Sequence, residues 1–199
     1  IYGASKLSSL GDLSNLYTRK LTAANASRLT ELKVGNRSSG YFNPNLTAVS
    51  IDNCSLLEKL ILSNCTGLGT GTQEGDIKVL NLKNCFNLKE VYLEGTQLTG
   101  CTLPEAGYLE TYVIPNTFTE LKVTNQPNLD LGSIQIQDKK LKDITNTDFE
   151  QYLSSIQTLN IQSIGETITS TLTSLERLVI SLRKAALASI EAAAILTCT

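Results

Sequence analysis

Residues 46–54, LTAVSIDNC, 57–65, LEKLILSNC, and 77–85, IKVLNLKNC, spell one nine-residue frame three times. The frame is an apolar residue, two free positions, two apolar residues separated by one, a further free position, and Asn-Cys. Apolar residues two apart point to the same side of an extended strand, so each copy dips twice into a core and once into solvent. Looser copies lie around the three: LTAANA (21–26), LKVGN (32–36), VYLEGT (91–96), CTLPEA (101–106, one step out of phase), YVIPN (112–116) and LKVTN (121–125). Across the full and looser copies the leading apolar positions are Leu29, Leu46, Leu57, Ile77, Leu88, Leu109 and Phe118. Asn25, Asn36, Asn53, Asn64, Asn84, Asn116 and Asn125 all stand two residues after the second apolar position. An Asn there can bond backbone groups of the neighbouring repeat, which a turn buried between repeats requires, and the seven are read as a ladder. Asn is a good turn residue anywhere. That explains each site singly but not the shared phase.

The spacing sets the geometry. From Leu21 the strand starts follow at Leu32, Val49, Leu60, Leu80, Val91, Tyr112 and Leu121, in steps of 11, 17, 11, 20, 11, 21 and 9 residues. The short step is half of a repeat of about 20–29 residues, so alternate strands belong to two faces. Face A takes Leu32, Leu60, Val91 and Tyr112; face B takes Leu21, Val49, Leu80, the weak Cys101–Leu103 strand and Leu121. The length variation falls on the A-to-B passage, where RSSGYFNPN (37–45) and TGLGTGTQEGD (66–76) have the composition of surface loops.

Residues 1–20 read as a degenerate N-terminal repeat, 21–126 as the regular array and 127–165 as degenerate repeats. Strands are expected at Ile134–Ile136, with Asp138 in the Asn position, and at Leu159–Ile161. The intervening DKKLKDITNTDFEQYL (138–153) reads as a short helix or another half-repeat. From Thr173 the chemistry changes: Thr173 and Glu176 form a capping-box pattern, and Leu175, Leu178, Leu182, Ala186, Ile190 and Ala194 recur at helical spacing. This predicts a C-terminal α-helix over 173–197, with a last degenerate repeat at 172–180 as its rival.

Of 199 residues, 41% are hydrophobic and 18% charged, a composition that folds, and the formal net charge is −2 with no basic cluster, against nucleic-acid binding. His, Met and Trp are absent, which removes imidazole as base, proton shuttle or metal ligand. No apolar run is long enough for a membrane span and no leader is visible. The opening Ile1 is expected of a fragment or a processed product. Five cysteines is an odd number, and Cys54, Cys65 and Cys85 share one phase, so they are read as buried, reduced and unbridged. No zinc spacing occurs, and no metal or other cofactor is expected. The Gly-rich 66–76 loop lacks the Gly-Lys-Ser/Thr ending of a phosphate loop; its Glu74 and Asp76 read as solvated carboxylates rather than a calcium site. No carboxylate pair announces glycoside hydrolysis.

The frame L-x-x-L-x-L-x-N-C resembles the leucine-rich repeat. The runs LSSLGDLSNLY (7–17), YFNPNLTAVSIDNC (41–54), LEKLILSNC (57–65), LEGTQLTGCTLP (93–104) and TNQPNL (124–129) resemble the variant found in structural proteins of tailed bacteriophages, especially those of gut bacteria. The resemblance covers a little over half the chain. It implies a leucine-rich-repeat-like solenoid of short two-strand coils with parallel β-structure; the constant short step makes it right-handed and two-faced, and the C-terminal helix, which departs from the repeat pattern, is expected to cover an end. It carries over no catalytic residue, so the chain reads as no enzyme. The function implied is a structural, protein-binding component of a virion (tail, baseplate or appendage), oligomeric in its assembly. Its partners would be subunits of the same assembly and a host-surface protein or glycan. A secreted bacterial adhesin or receptor-like surface module is the alternative.

Alternation also proposes a binding surface. Residues between the apolar pairs face outward: Lys33, Ile61, Tyr92 and Val113 on face A, and Thr22, Ser50, Asn81, Thr102 and Lys122 on face B. The A row is expected to form an exposed apolar stripe, extended at its rim by Tyr41 and Phe42.

Overall fold

The computed structural model describes residues 6, 8–14, 17–38, 40–130, 132–145, 148–163 and 166–171. The structure is mostly β-strand. In chain order the strands are β1 (Ser9–Asp12), β2 (Lys20–Ala24), β3 (Glu31–Lys33), β4 (Ala48–Asp52), β5 (Lys59–Ile61), β6 (Val79–Asn81), β7 (Glu90–Tyr92), β8 (Gly100–Thr102), β9 (Thr111–Ile114), β10 (Glu120–Val123), β11 (Ile134–Ile136), β12 (Lys139–Lys140), β13 (Thr158–Ser163) and β14 (Glu166–Thr171).

Two kinds of sheet result. One has seven strands in the order β1-β3-β5-β7-β9-β11-β12, parallel except for the last pair. The register runs Leu32, Leu60, Val91, Tyr112, Ile134, which joins the expected face A strands. The even-numbered strands make smaller pieces: β2-β4, β6-β8 and β10-β13-β14. Leu21 pairs with Val49, Leu80 with Cys101 and Leu121 with Leu159, so face B exists but is divided. Leu60 and Leu80 belong to different sheets, as the alternation demands.

The core lies between these sheets. Both apolar positions of each full frame are buried, as are Leu29, Leu46, Leu57, Leu88, Leu109 and Phe118 ahead of them. Each fully buried Leu contributes about 1.5–3 kcal/mol relative to exposure. Cys54, Cys65 and Cys85 are buried and unbridged, and burial pushes the thiols of Cys65 and Cys85 up to about 12. Tyr112 is the largest fully buried side chain, and its hydroxyl meets the thiol of Cys101 from the opposite face.

The parallel part of the long sheet ends before Gln137. This residue, at φ 57°, turns the chain into the two-residue β12, which runs back along β11. Asp138, expected to hold the turn, is one residue late. A 3-10 turn at Leu141–Asp143 and the short α1 (Phe149–Tyr152) then return the chain to β13. They bury Leu141, Ile144, Tyr152 and Leu153. The stretch 138–153 thus holds a short helix, of four residues, after β12 and the 3-10 turn. The helix expected over 173–197, and the rival repeat at 172–180, lie outside the described residues.

Candidate binding surface

The seven asparagines divide by face, and none is buried. Asn25, Asn53, Asn64 and Asn125 have φ of 52–59°, the left-handed region that Asn tolerates better than most residues. Gly95 occupies the same frame position at φ 74°. At those four positions backbone shape favours Asn, and the bonds expected of the ladder run along an exposed or half-exposed edge, some to backbone carbonyls and some to side chains. On the B side Asn53 Nδ2 donates to Asn25 Oδ1 (3.0 Å), and Asn84 Nδ2 donates to Asp52 Oδ1 (2.9 Å). On the A side Asn64 Nδ2 donates to the carbonyl of Asn36 (2.9 Å), and Asn116 accepts from Gln137 Nε2 (3.2 Å) while donating to the carbonyl of Gln151 (2.9 Å).

The proposed stripe is in register but not exposed. Lys33, Ile61, Tyr92 and Val113 are successive partners across the long sheet, yet Ile61 is 8% exposed and Val113 is 0% exposed. Alternation gives the direction of a side chain and not what lies over it. Charged groups gather over Tyr92: Arg37, from the passage after β3, reaches past β5 to Glu94 (2.6 Å), and its guanidinium carbon stands 4.3 Å from the centre of the Tyr92 ring. Lys59 pairs with Glu90 (2.7 Å), which also accepts from the Tyr92 hydroxyl (2.8 Å). Burial and the Glu90 carboxylate push that hydroxyl up to about 12. Lys33 is itself paired with Asp12 (2.6 Å). Tyr41 is no rim anchor either, because its hydroxyl donates to the carbonyls of Ser14 (2.5 Å) and Val34 (3.2 Å). Phe42 is exposed, as expected. On face B, Thr22, Ser50, Asn81, Thr102 and Lys122 all face solvent.

The apolar surface lies instead at the corner between face B and the next strand of face A. Leu56, Phe86 and Tyr108 are 44%, 51% and 56% exposed, and each stands one or two residues ahead of the buried leading position of its repeat. Phe86, Tyr108 and Pro127 line one shallow depression. The frame marks these positions as free, and large apolar residues in them were the available signal.

Two further polar groups escaped the sequence reading. Asp76 is not solvated: its side chain is 4% exposed, accepts from Thr47 Oγ1 (2.7 Å) and Gln73 N (2.8 Å), and pairs with Arg19. The Thr47 hydroxyl, the Gln73 amide and the Arg19 charge hold its carboxyl below the usual range. Gln126 stands where other repeats have Cys and is 2% exposed; its Oε1 accepts from Leu109 N (3.1 Å) and its Nε2 donates to the carbonyl of Pro104 (3.2 Å).

Among the described residues no group of three or more His, Cys, Asp or Glu could hold a metal ion, and no helix is long and apolar enough to cross a membrane. Comparison with protein-family models, with curated proteins and with solved structures gives no match.

Proposed function

We propose that the chain is a leucine-rich-repeat-like solenoid acting as a non-enzymatic structural and binding component of a bacteriophage virion. The observation that carries the reading is one sequence frame laying six parallel strands side by side in one sheet, with apolar residues left exposed along one corner of the same repeats. Exposed Phe, Tyr and Leu in a row suit a protein partner, because aromatic anchors concentrate binding energy. Leu56, Phe86 and Tyr108 take the role that the covered Ile61 and Val113 cannot fill. The partner is a subunit of the same assembly.

Location tests the reading. Peptides of this chain should appear at fixed copy number in purified phage particles, and the double variant Phe86→Ser, Tyr108→Ser should fold normally while losing incorporation. Finding the chain on a bacterial envelope and never in particles would overturn the virion assignment. Normal incorporation of the double variant would overturn the corner as the working surface.

A further inference from the structure

The two sheets differ in continuity, and the break between β8 and β10 is open. At its base the amide of Thr119 donates to the carbonyl of Thr99 (2.9 Å), and beyond that bond no ladder joins the two strands among the described residues. Residues of both strands line a cleft of about 380 Å³, within the size range of small-molecule sites, about 300–1,000 Å³.

Some charged groups elsewhere are paired, such as Arg19 with Asp76 and Arg37 with Glu94, and others such as Arg28 and Lys83 are in no ion pair among the described residues. In the cleft, the side chains of Glu105, Glu120 and Lys122 make no hydrogen bond or ion pair among the described residues, and the same holds for the hydroxyls of Thr102 and Thr124. Glu120 and Lys122 project from the same face of one strand without pairing. The cleft therefore presents carboxylate acceptors, an ammonium donor and hydroxyls that both donate and accept, beside an apolar wall of Val79 and Leu103. Two carboxylates against one ammonium give a nearly balanced charge, unsuited to phosphate or another strongly anionic ligand.

We infer that this cleft binds a polyhydroxylated ligand, an oligosaccharide. Sugar hydroxyls match a mixed, nearly neutral set of donors and acceptors, while the C–H faces of the rings match the apolar wall. An extended peptide entering the broken sheet would need mainly the strand amides and carbonyls and would use these side chains little. The inference stands apart from the virion reading, since a glycan site fits any exposed surface protein.

The test applies the full chain to an array of neutral and acidic oligosaccharides, followed by calorimetric titration of any retained sugar. A neutral oligosaccharide should be retained, and Thr102→Val with Thr124→Val, or Lys122→Ala, should weaken it by about tenfold or more with an unchanged melting temperature. Tyr17→Ser, at an exposed position just before β2 and away from the cleft, should leave the affinity unaltered. Retention of no sugar, or an affinity indifferent to the cleft variants, overturns the inference. Binding of an extended peptide that competes the sugar away with those variants silent overturns it as well.

Discussion

Replacing Gln126 with Leu keeps the volume of the side chain and removes both of its hydrogen bonds. The amide of Leu109 and the carbonyl of Pro104 would then be left without their partner in a buried place. Each such orphaned group costs about 1–3 kcal/mol, together about 4 kcal/mol at mid-range. The added apolar burial returns about 2 kcal/mol. The net expectation is a loss of about 2 kcal/mol, which lowers the melting temperature of a chain this size by about 4–8 °C. Circular dichroism reads the melt. Amide exchange locates the damage, because the Leu109 amide should exchange faster while that of Leu32, in the second strand of the long sheet, should not. A variant that melts within a degree of the parent, with the Leu109 amide still protected, would show that Gln126 does not support the 103–109 segment.

Other outcomes follow from the same structure. Gly69 has φ 97°, and a Cβ there would lie 1.9 Å from the carbonyl oxygen of Gln97, so Gly69→Ala should cost at least about 2 kcal/mol in urea unfolding; a neutral variant would mean the two backbones are not so close. Asp12 is held at about 2 chiefly by Lys33, and Asp148 at about 2 chiefly by Lys139. Their folded values lie below the ordinary carboxyl value, so the stability they add is complete above about pH 4 and is lost as pH falls toward 2. The urea midpoint should drop across that window, and Asp148→Asn should flatten the drop; a flat midpoint in the parent would contradict both pairings. A bulky thiol reagent at pH 8 should modify Cys65 and Cys85 slowly in the native state and at once in urea, because burial keeps both protonated. Fast native labelling would place them at the surface.

The sequence made face A legible because its signal is simple: Leu32, Leu60, Val91 and Tyr112 keep one phase, and a phase error of one residue would turn each strand inside out. Where the phase loosens, the reading slips by the same unit. Asp138 fits the frame after Ile134–Ile136, but Gln137 takes the positive φ, because the chain reverses there rather than passing to face B. Cover was not legible. Ile61 looks exposed in the pattern but is buried, and Arg37, which stands over its partner Tyr92, comes from a loop two dozen residues before Ile61 and finds its acid 57 residues away. Asp76 was missed for a like reason, since its partner Arg19 is also 57 residues distant. Of the candidate surface, the polar face B row followed from alternation and exposed Phe42 from its place in a loop. The corner of Leu56, Phe86 and Tyr108 sits at frame positions where any residue is allowed.

Those two arginines have a consequence for how the molecule comes apart. A stack whose repeats touch only their immediate neighbours frays from an end, one repeat at a time, with no penalty beyond the interface just lost. Arg19 reaches Asp76 and Arg37 reaches Glu94, each passing over an intervening repeat. Peeling away the first of these repeats breaks ties to a second and a third at once, so the cost of starting is raised relative to the cost of continuing. Between residues 19 and 94 the array should melt as one cooperative block, with gradual fraying confined to the part beyond it.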